Sequence, residues 1–260
     1  MTVGGFTYFP DTKELEDLRE RLIEARQDAD ATVELFASLS WPEFERETEY
    51  ISLKKPDEYA FIDGDIVSSD GGQFSADQYR SIANEYMVPT STAKYTRHKR
   101  ESYMVGALAR FNNNYDQLHQ RAKEAASAFG MKPLVINPYL NSAAQVIEIV
   151  HCIEDSIEII NKLLDRGINK EEPVPIKRIS GEGVGACEVP RGMLIHHYSI
   201  GEDGKITGAN CIIPTNQNVA NINEDMQVLV PKIAHESVEK IQFDLEMLVR
   251  AYDPCISCSV

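Results

Sequence analysis

Two cysteines three positions apart, Cys255 and Cys258, stand in the stretch D-P-C-I-S-C-S-V at residues 253–260. Cys-x-x-Cys has three chemical readings: half of a zinc knuckle, a redox dithiol, or half of another metal site. A redox dithiol wants its first cysteine at the N-terminal end of a helix, where the partial positive charge stabilises a thiolate. Here the pair follows a helical stretch, at the negative end, which disfavours free thiolate chemistry. Metal coordination deprotonates thiols whatever the helix contributes, and Asp253 beside the pair adds acceptor oxygens, so a metal site is the expectation. Two thiolates do not fill a tetrahedral site, so further ligands must come from elsewhere in this chain or from another. An inert exposed pair in a frayed tail is the plain alternative.

Apolar periodicity outlines the elements that must position this pair. A strand or turn is expected at residues 1–9. Asp11 and Glu14 read as a loose capping box opening a helix to about Ser38, with Leu15, Leu18 and Leu22 on one face. Residues 49–68 alternate around Asp63-Gly64 as a short hairpin. Helical patterns follow from Ser75 and again through residues 103–129, the latter interrupted at the asparagines 112–114. The clearest helix spans about 142–166, where Val146, Val150, Ile153, Ile157, Ile160 and Leu164 form a stripe and Glu148, Glu154 and Lys162 are expected to stay wet. A Gly- and Pro-rich stretch leads to a hairpin of 195–200 and 206–213 joined around Gly201–Gly204. Pro231 is expected near the start of a last helical segment running through Ile233, Val238, Ile241, Leu245 and Leu248 to Tyr252, with Pro254 ending it. The fold class expected is mainly α, a helical bundle with small β-hairpins, as one domain over residues 1–260.

Composition narrows the function classes. The 260 residues are 43% hydrophobic, enough for a sizeable core. No apolar run approaches the length of about 18 uncharged residues that a membrane span needs, and no secretory signal opens the chain, so a cytoplasmic location is expected. A net charge of -15, spread along the chain, disfavours nucleic acid as partner. The five cysteines, Cys152, Cys187, Cys211, Cys255 and Cys258, are too few and too uneven for a disulfide framework.

Taken with C-E-V-P-R-G-M-L-I-H-H-Y at 187–198, I-I-P-T-N-Q-N at 212–218 and Y-M-V-G-A-L-A-R-F-N at 103–112, the D-P-C-x-x-C stretch resembles the catalytic large subunit of nickel-iron hydrogenases. The similarity runs in order through nearly the whole chain and looks closest to the cytoplasmic, methyl-viologen-reducing type linked to heterodisulfide reductase. The resemblance implies heterolytic splitting or formation of dihydrogen at a nickel-iron centre whose iron bears cyanide and carbon monoxide. Cys258 would bridge the two metals, and Cys255 would be a terminal nickel ligand and proton acceptor. Arg191 would hang over the open metal position, paired with Asp253. Pro190 and Thr215 would surround the diatomic ligands. An iron-sulfur small subunit would be the partner that carries electrons.

Each residue also has an ordinary reading. Arg191 after Pro190 could be an exposed turn residue, and Asp253 could simply end a helix before Pro254. Cys152 reads as a small core residue on the stripe's edge, while Cys187 and Cys211 have no role in the resemblance. His196 and His197 alternate to opposite faces of a strand and read as structural. The family pattern also includes an R-x-C-G-x-C motif, and no cysteine precedes Cys152 here. The expectation is that this is the C-terminal portion of a large subunit whose other cysteine pair comes from a separate chain. A truncated product and an apo relative serving as a non-catalytic scaffold or assembly protein are the alternatives, with a zinc module bridging two copies more distant.

Overall fold

The computed structural model describes residues 8–169, 175 and 179–259. The strand or turn expected at residues 1–9 therefore lies mostly outside the described residues. In chain order the elements are α1 (Thr12–Ala37), β1 (Glu49–Lys54), β2 (Asp65–Ser68), β3 (Gln73–Phe74), β4 (Asn84–Tyr86), β5 (Tyr95–Arg97) and β6 (Tyr103–Met104). There follow α2 (Ala107–Asn114), α3 (Gln120–Ala128), α4 (Asn141–Arg166), β7 (Gly181–Val189), β8 (Gly192–Ile200), β9 (Ile206–Ile212), α5 (Pro214–Ile233) and α6 (Val238–Ala251).

The capping box of α1 forms: Glu14 N–H donates to Asp11 Oδ1, and Asp11 N–H donates to Glu14 Oε2, both at 2.9 Å. Two orphan donors are thereby satisfied reciprocally. α1 then runs along α4, and α3 packs on α4 from another side. α2 and α5 lie instead against strands, α2 on β1 and α5 on β5 and β6, so helices and sheets share the core. The helical pattern from Ser75 is one 3₁₀ stretch, Ala76–Ser81, and the interruption in 103–129 falls after the asparagines, which close α2.

β1 carries much of this organisation. It pairs antiparallel with β2 and parallel with β6, giving a sheet in the order β3-β2-β1-β6. Alternation sends Tyr50 into one apolar cluster with α2, α4 and α6, and Ile51 and Leu53 into a second with Met193, Ile195 and Ile212 of the β7-β8-β9 sheet. That second sheet contains the expected hairpin of β8 and β9 and one strand more, β7. Gly181, Gly183 and Gly185 hid β7 in the sequence, because glycine is depleted in strands.

Two expectations are corrected. Pro231 sits near the end of α5, inside the helix, and not at the start of the last segment. Glu148 and Glu154 are not wet but 8% and 4% exposed. Each is buried against arginine: Glu148 against Arg110, and Glu154 against Arg26 and Arg121. A carboxylate tolerates burial only when paired in this way. Lys162 does remain exposed.

Candidate metal centre

The turn between β7 and β8 is Pro190-Arg191, with Val189 opposite Gly192. Gly192 adopts φ +134°, and a Cβ there would collide with the Val105 side chain, so only glycine lets the hairpin tip lie so close to the start of α2. Arg191 projects from this tip toward the end of α6. Its Nε donates to the Asp253 carbonyl at 2.7 Å and its Nη2 to Asp253 Oδ1 at 3.2 Å. One guanidinium thus grips both the backbone and the side chain of one residue.

Asp253 follows the last residue of α6 by two and takes φ +49°, a left-handed conformation uncommon for a non-glycine residue, and more so before proline. Its N–H donates to Arg250 O, and Gln145 of α4 donates to its Oδ2 at 3.3 Å. The corner redirects the chain into Pro254 and a 3₁₀ turn, Ile256–Cys258. Above it, Tyr252 is fixed in the core, its hydroxyl donating to Asp225 Oδ2 and accepting from Asn221 Nδ2.

Cys255 N–H donates to Thr215 Oγ1 at 3.1 Å, tying the tail to the first turn of α5. A hydroxyl that accepts there keeps its own proton free to donate elsewhere. The sequence placed the thiols at the negative end of α6; the fold also sets them against the positive end of α5, whose Pro214 and Thr215 line the same cavity. That cavity has a volume of about 460 Å³, and its walls include Pro190, Arg191, Thr215, Cys255 and Cys258. Five of the six residues singled out in the sequence therefore face one space, and the sixth, Asp253, holds Arg191.

The two tail cysteines are joined as a disulfide, with Cα atoms 5.2 Å apart. Reduction would present two sulfurs to the cavity from adjacent positions. In kind this donor set fits a thiophilic metal such as nickel or low-spin iron. In number it falls short: among the described residues no group of three or more His, Cys, Asp or Glu side chains is placed to hold a metal ion.

The remaining cysteines and histidines divide differently from expectation. Cys152 is exposed, on the wall of a neighbouring cavity of about 660 Å³, and not a core residue; the protein around it still pushes its thiol up to about 11. Burial, then the charge of Glu188, raises the Cys187 thiol. Cys211 and His196 line the cysteine cavity, a placement that no motif signalled. His197 points the other way, to Tyr79 and Glu182, as alternation requires.

The largest omission of the sequence reading is Arg110, which is 1% exposed. Its Nε and Nη2 clasp the two Glu148 oxygens at 2.6 and 2.7 Å, and Nη1 reaches Glu188 Oε2 at 2.8 Å. Burial disfavours the cation, but the two carboxylates outweigh it and hold its pKa well up. Burial in turn raises the Glu188 carboxyl against the opposing pull of Arg110.

Comparison with known proteins gives one consistent result. The family described as nickel-dependent hydrogenase matches residues 45–260. The alpha chain of sulfhydrogenase 1 from Pyrococcus furiosus is 37% identical over 99% of this chain and 60% of its own length. An F420-non-reducing hydrogenase chain from Methanothermobacter thermautotrophicus is 29% identical over 99% of this chain and 59% of its own. A crystal structure of an NAD+-reducing [NiFe]-hydrogenase in the H2-reduced state superposes with a TM-score of 0.82 at 26% identity, over 98% of this chain and 61% of that one. The chain spans about three fifths of the length of the relatives it matches.

Proposed function

The chain belongs to the nickel-dependent hydrogenase family, and we propose that it supplies the C-terminal pair of cysteine ligands to a nickel-iron centre that splits or forms dihydrogen. The observation that carries this reading is the convergence of Cys255, Cys258, Arg191, Pro190 and Thr215 on one cavity from elements far apart in sequence. When bound, the two-metal centre, with cyanide and carbon monoxide on iron, supplies the heterolytic cleavage of dihydrogen. Reduced Cys258 would hold both metals and Cys255 would hold nickel, and the Cys255 thiolate would serve as proton acceptor. The Thr215 hydroxyl would be free to donate toward the iron's diatomic ligands, with Pro190 lining the same side, and Arg191, fixed by Asp253, would keep a permanent positive charge over the site. Two ligands are still needed, and an R-x-C-G-x-C segment would supply them; an iron-sulfur small subunit would take the electrons.

A second reading, a metal-free scaffold or assembly relative, is favoured by the Cys255–Cys258 disulfide, which occupies both sulfurs. Metal analysis of the purified complex separates the two. The hydrogenase reading expects nickel and iron together, loss of both in Cys258→Ser, and loss chiefly of nickel in Cys255→Ser. Equal losses in the two variants would remove the ligand assignment, and no metal in the unsubstituted complex would establish the scaffold.

A further inference from the structure

Arg191 is held at both ends, by Arg110 beneath it and through Asp253 by Gln145, and the family resemblance gave neither Arg110 nor Gln145 a role. Beneath the hairpin tip, Arg110 uses all five of its N–H donors. Three go to Glu148 and Glu188; the other two go to the Val189 carbonyl at 3.0 Å and the Pro190 carbonyl at 3.1 Å. Those are the two residues immediately before Arg191. Their carbonyls fix the peptide planes from which the Arg191 side chain departs. Glu188 is itself tied to β1, accepting from Leu53 N–H at 2.8 Å. At the far end, Gln145 holds the second carboxylate oxygen of Asp253, the residue that the guanidinium grips.

Gln145 and Glu148 lie three apart on α4 and so share a face of that helix. α4 thereby addresses both ends of Arg191, through Arg110 at one and through Asp253 at the other. The Asp253 corner needs such support, because a left-handed residue before proline is disfavoured and persists only where its surroundings hold it.

We propose that Arg110 and Gln145 are positioning residues that aim Arg191 over the cysteine-lined cavity, Arg110 by holding the carbonyls on which it is built and Gln145 by holding the carboxylate it grips. The functional part of this inference rests on the hydrogenase reading. The geometric part does not.

Two variants test it. Gln145→Leu removes the donor at similar volume, and Arg110→Lys keeps the charge but offers three donors to five acceptors. In the full chain, the Nε–H resonance of Arg191, assigned by its absence in Arg191→Lys, reports the bond to Asp253. Its exchange with water should quicken by about 10-fold or more in Gln145→Leu, and its position should shift in Arg110→Lys. In the assembled, metal-replete complex, turnover of hydrogen should fall roughly 10- to 100-fold, with half-saturating hydrogen unchanged, the size expected when a reacting group is misplaced by a fraction of an ångström to an ångström.

Unaltered Arg191 exchange in Gln145→Leu overturns the proposal, as does full turnover in a metal-replete Gln145→Leu complex. Should Arg110→Lys fail to fold, the Gln145 variant decides alone. If the unsubstituted complex turns over no hydrogen, the hydrogenase reading falls, and the resonance by itself decides whether the brace exists.

Discussion

The guanidinium of Arg191 meets one residue twice, at the Asp253 carbonyl and carboxylate, and this two-point grip demands a planar fork. Lysine, a flexible point charge, cannot make both bonds in the same geometry. Arg191→Lys in the assembled complex should therefore retain nickel and iron while slowing hydrogen oxidation by ~100-fold, about 2.7 kcal/mol of barrier. An exposed turn arginine would cost less than about 1 kcal/mol on the same change. Asp253→Asn should act through the same pair, so that the double variant is little worse than either single one; additive losses in turnover would break the pairing. Five residues of the cavity were legible in the sequence through the family resemblance that P-R-G, I-I-P-T and D-P-C-x-x-C carry. Arg110 was not. A lone arginine in a helical stretch reads as solvated, and nothing local announces two carboxylates 38 and 78 positions away.

At the scale of elements, α4 shows how much tertiary context adds to a periodic stripe. Its boundaries and apolar face followed from spacing, but its polar positions did not, since burial of Glu148, His151 and Glu154 depends on what α1, α2 and α3 bring to them. His151 offers a measurable consequence. Its Nδ1 accepts from His119 N–H at 3.1 Å, which requires the neutral ring, and burial lowers its pKa against the opposing charges of Asp155 and Glu148. A histidine whose folded pKa lies below its unfolded value of about 6.5 contributes stability above that pH and loses it as pH falls through the folded pKa. Stability against urea should therefore fall as the solution is acidified from pH ~7.5 toward ~5, and His151→Gln should flatten the decline. An unchanged pH slope in that variant would assign acid sensitivity to other groups. Elements failed to read out for equally local reasons: β7 carries alternate glycines on a bare face, and Pro231 falls where α5 is already ending.

For the whole molecule, the faces that remain uncovered matter as much as the core. Leu22, Phe61, Ile149 and Ile153 line the cavity of about 660 Å³ that adjoins the cysteine cavity through Val189 and Pro190. Leu18 and Ile159 stay 43% and 46% exposed on α1 and α4. Exposed apolar side chains beside an apolar cavity of this size suit a covering partner. The protein should accordingly purify with a partner, which the hydrogenase reading makes an iron-sulfur subunit; a stable, monodisperse monomer that binds no apolar dye would count heavily against a covered face. No helix among the described residues is long and apolar enough to cross a membrane.

The stretch from Asp253 to Cys258 is fastened by a few polar contacts: Arg191 and Gln145 on Asp253, and Thr215 on Cys255. Ile256, the one large apolar side chain there, is 67% exposed, whereas Tyr252 just before it is locked in the core. Such a segment is expected to open locally at a lower cost than global unfolding, with release of the buried Ser259 as part of that cost. Amide hydrogen exchange should find Cys255 and Cys258 among the first protected sites to exchange, well ahead of Leu248 and Ala251. Equal protection across residues 248–258 would mean the latch is no latch. A tail with that property would expose the two sulfurs without loss of the fold, so that loading of the site and stability of the fold would be separable quantities.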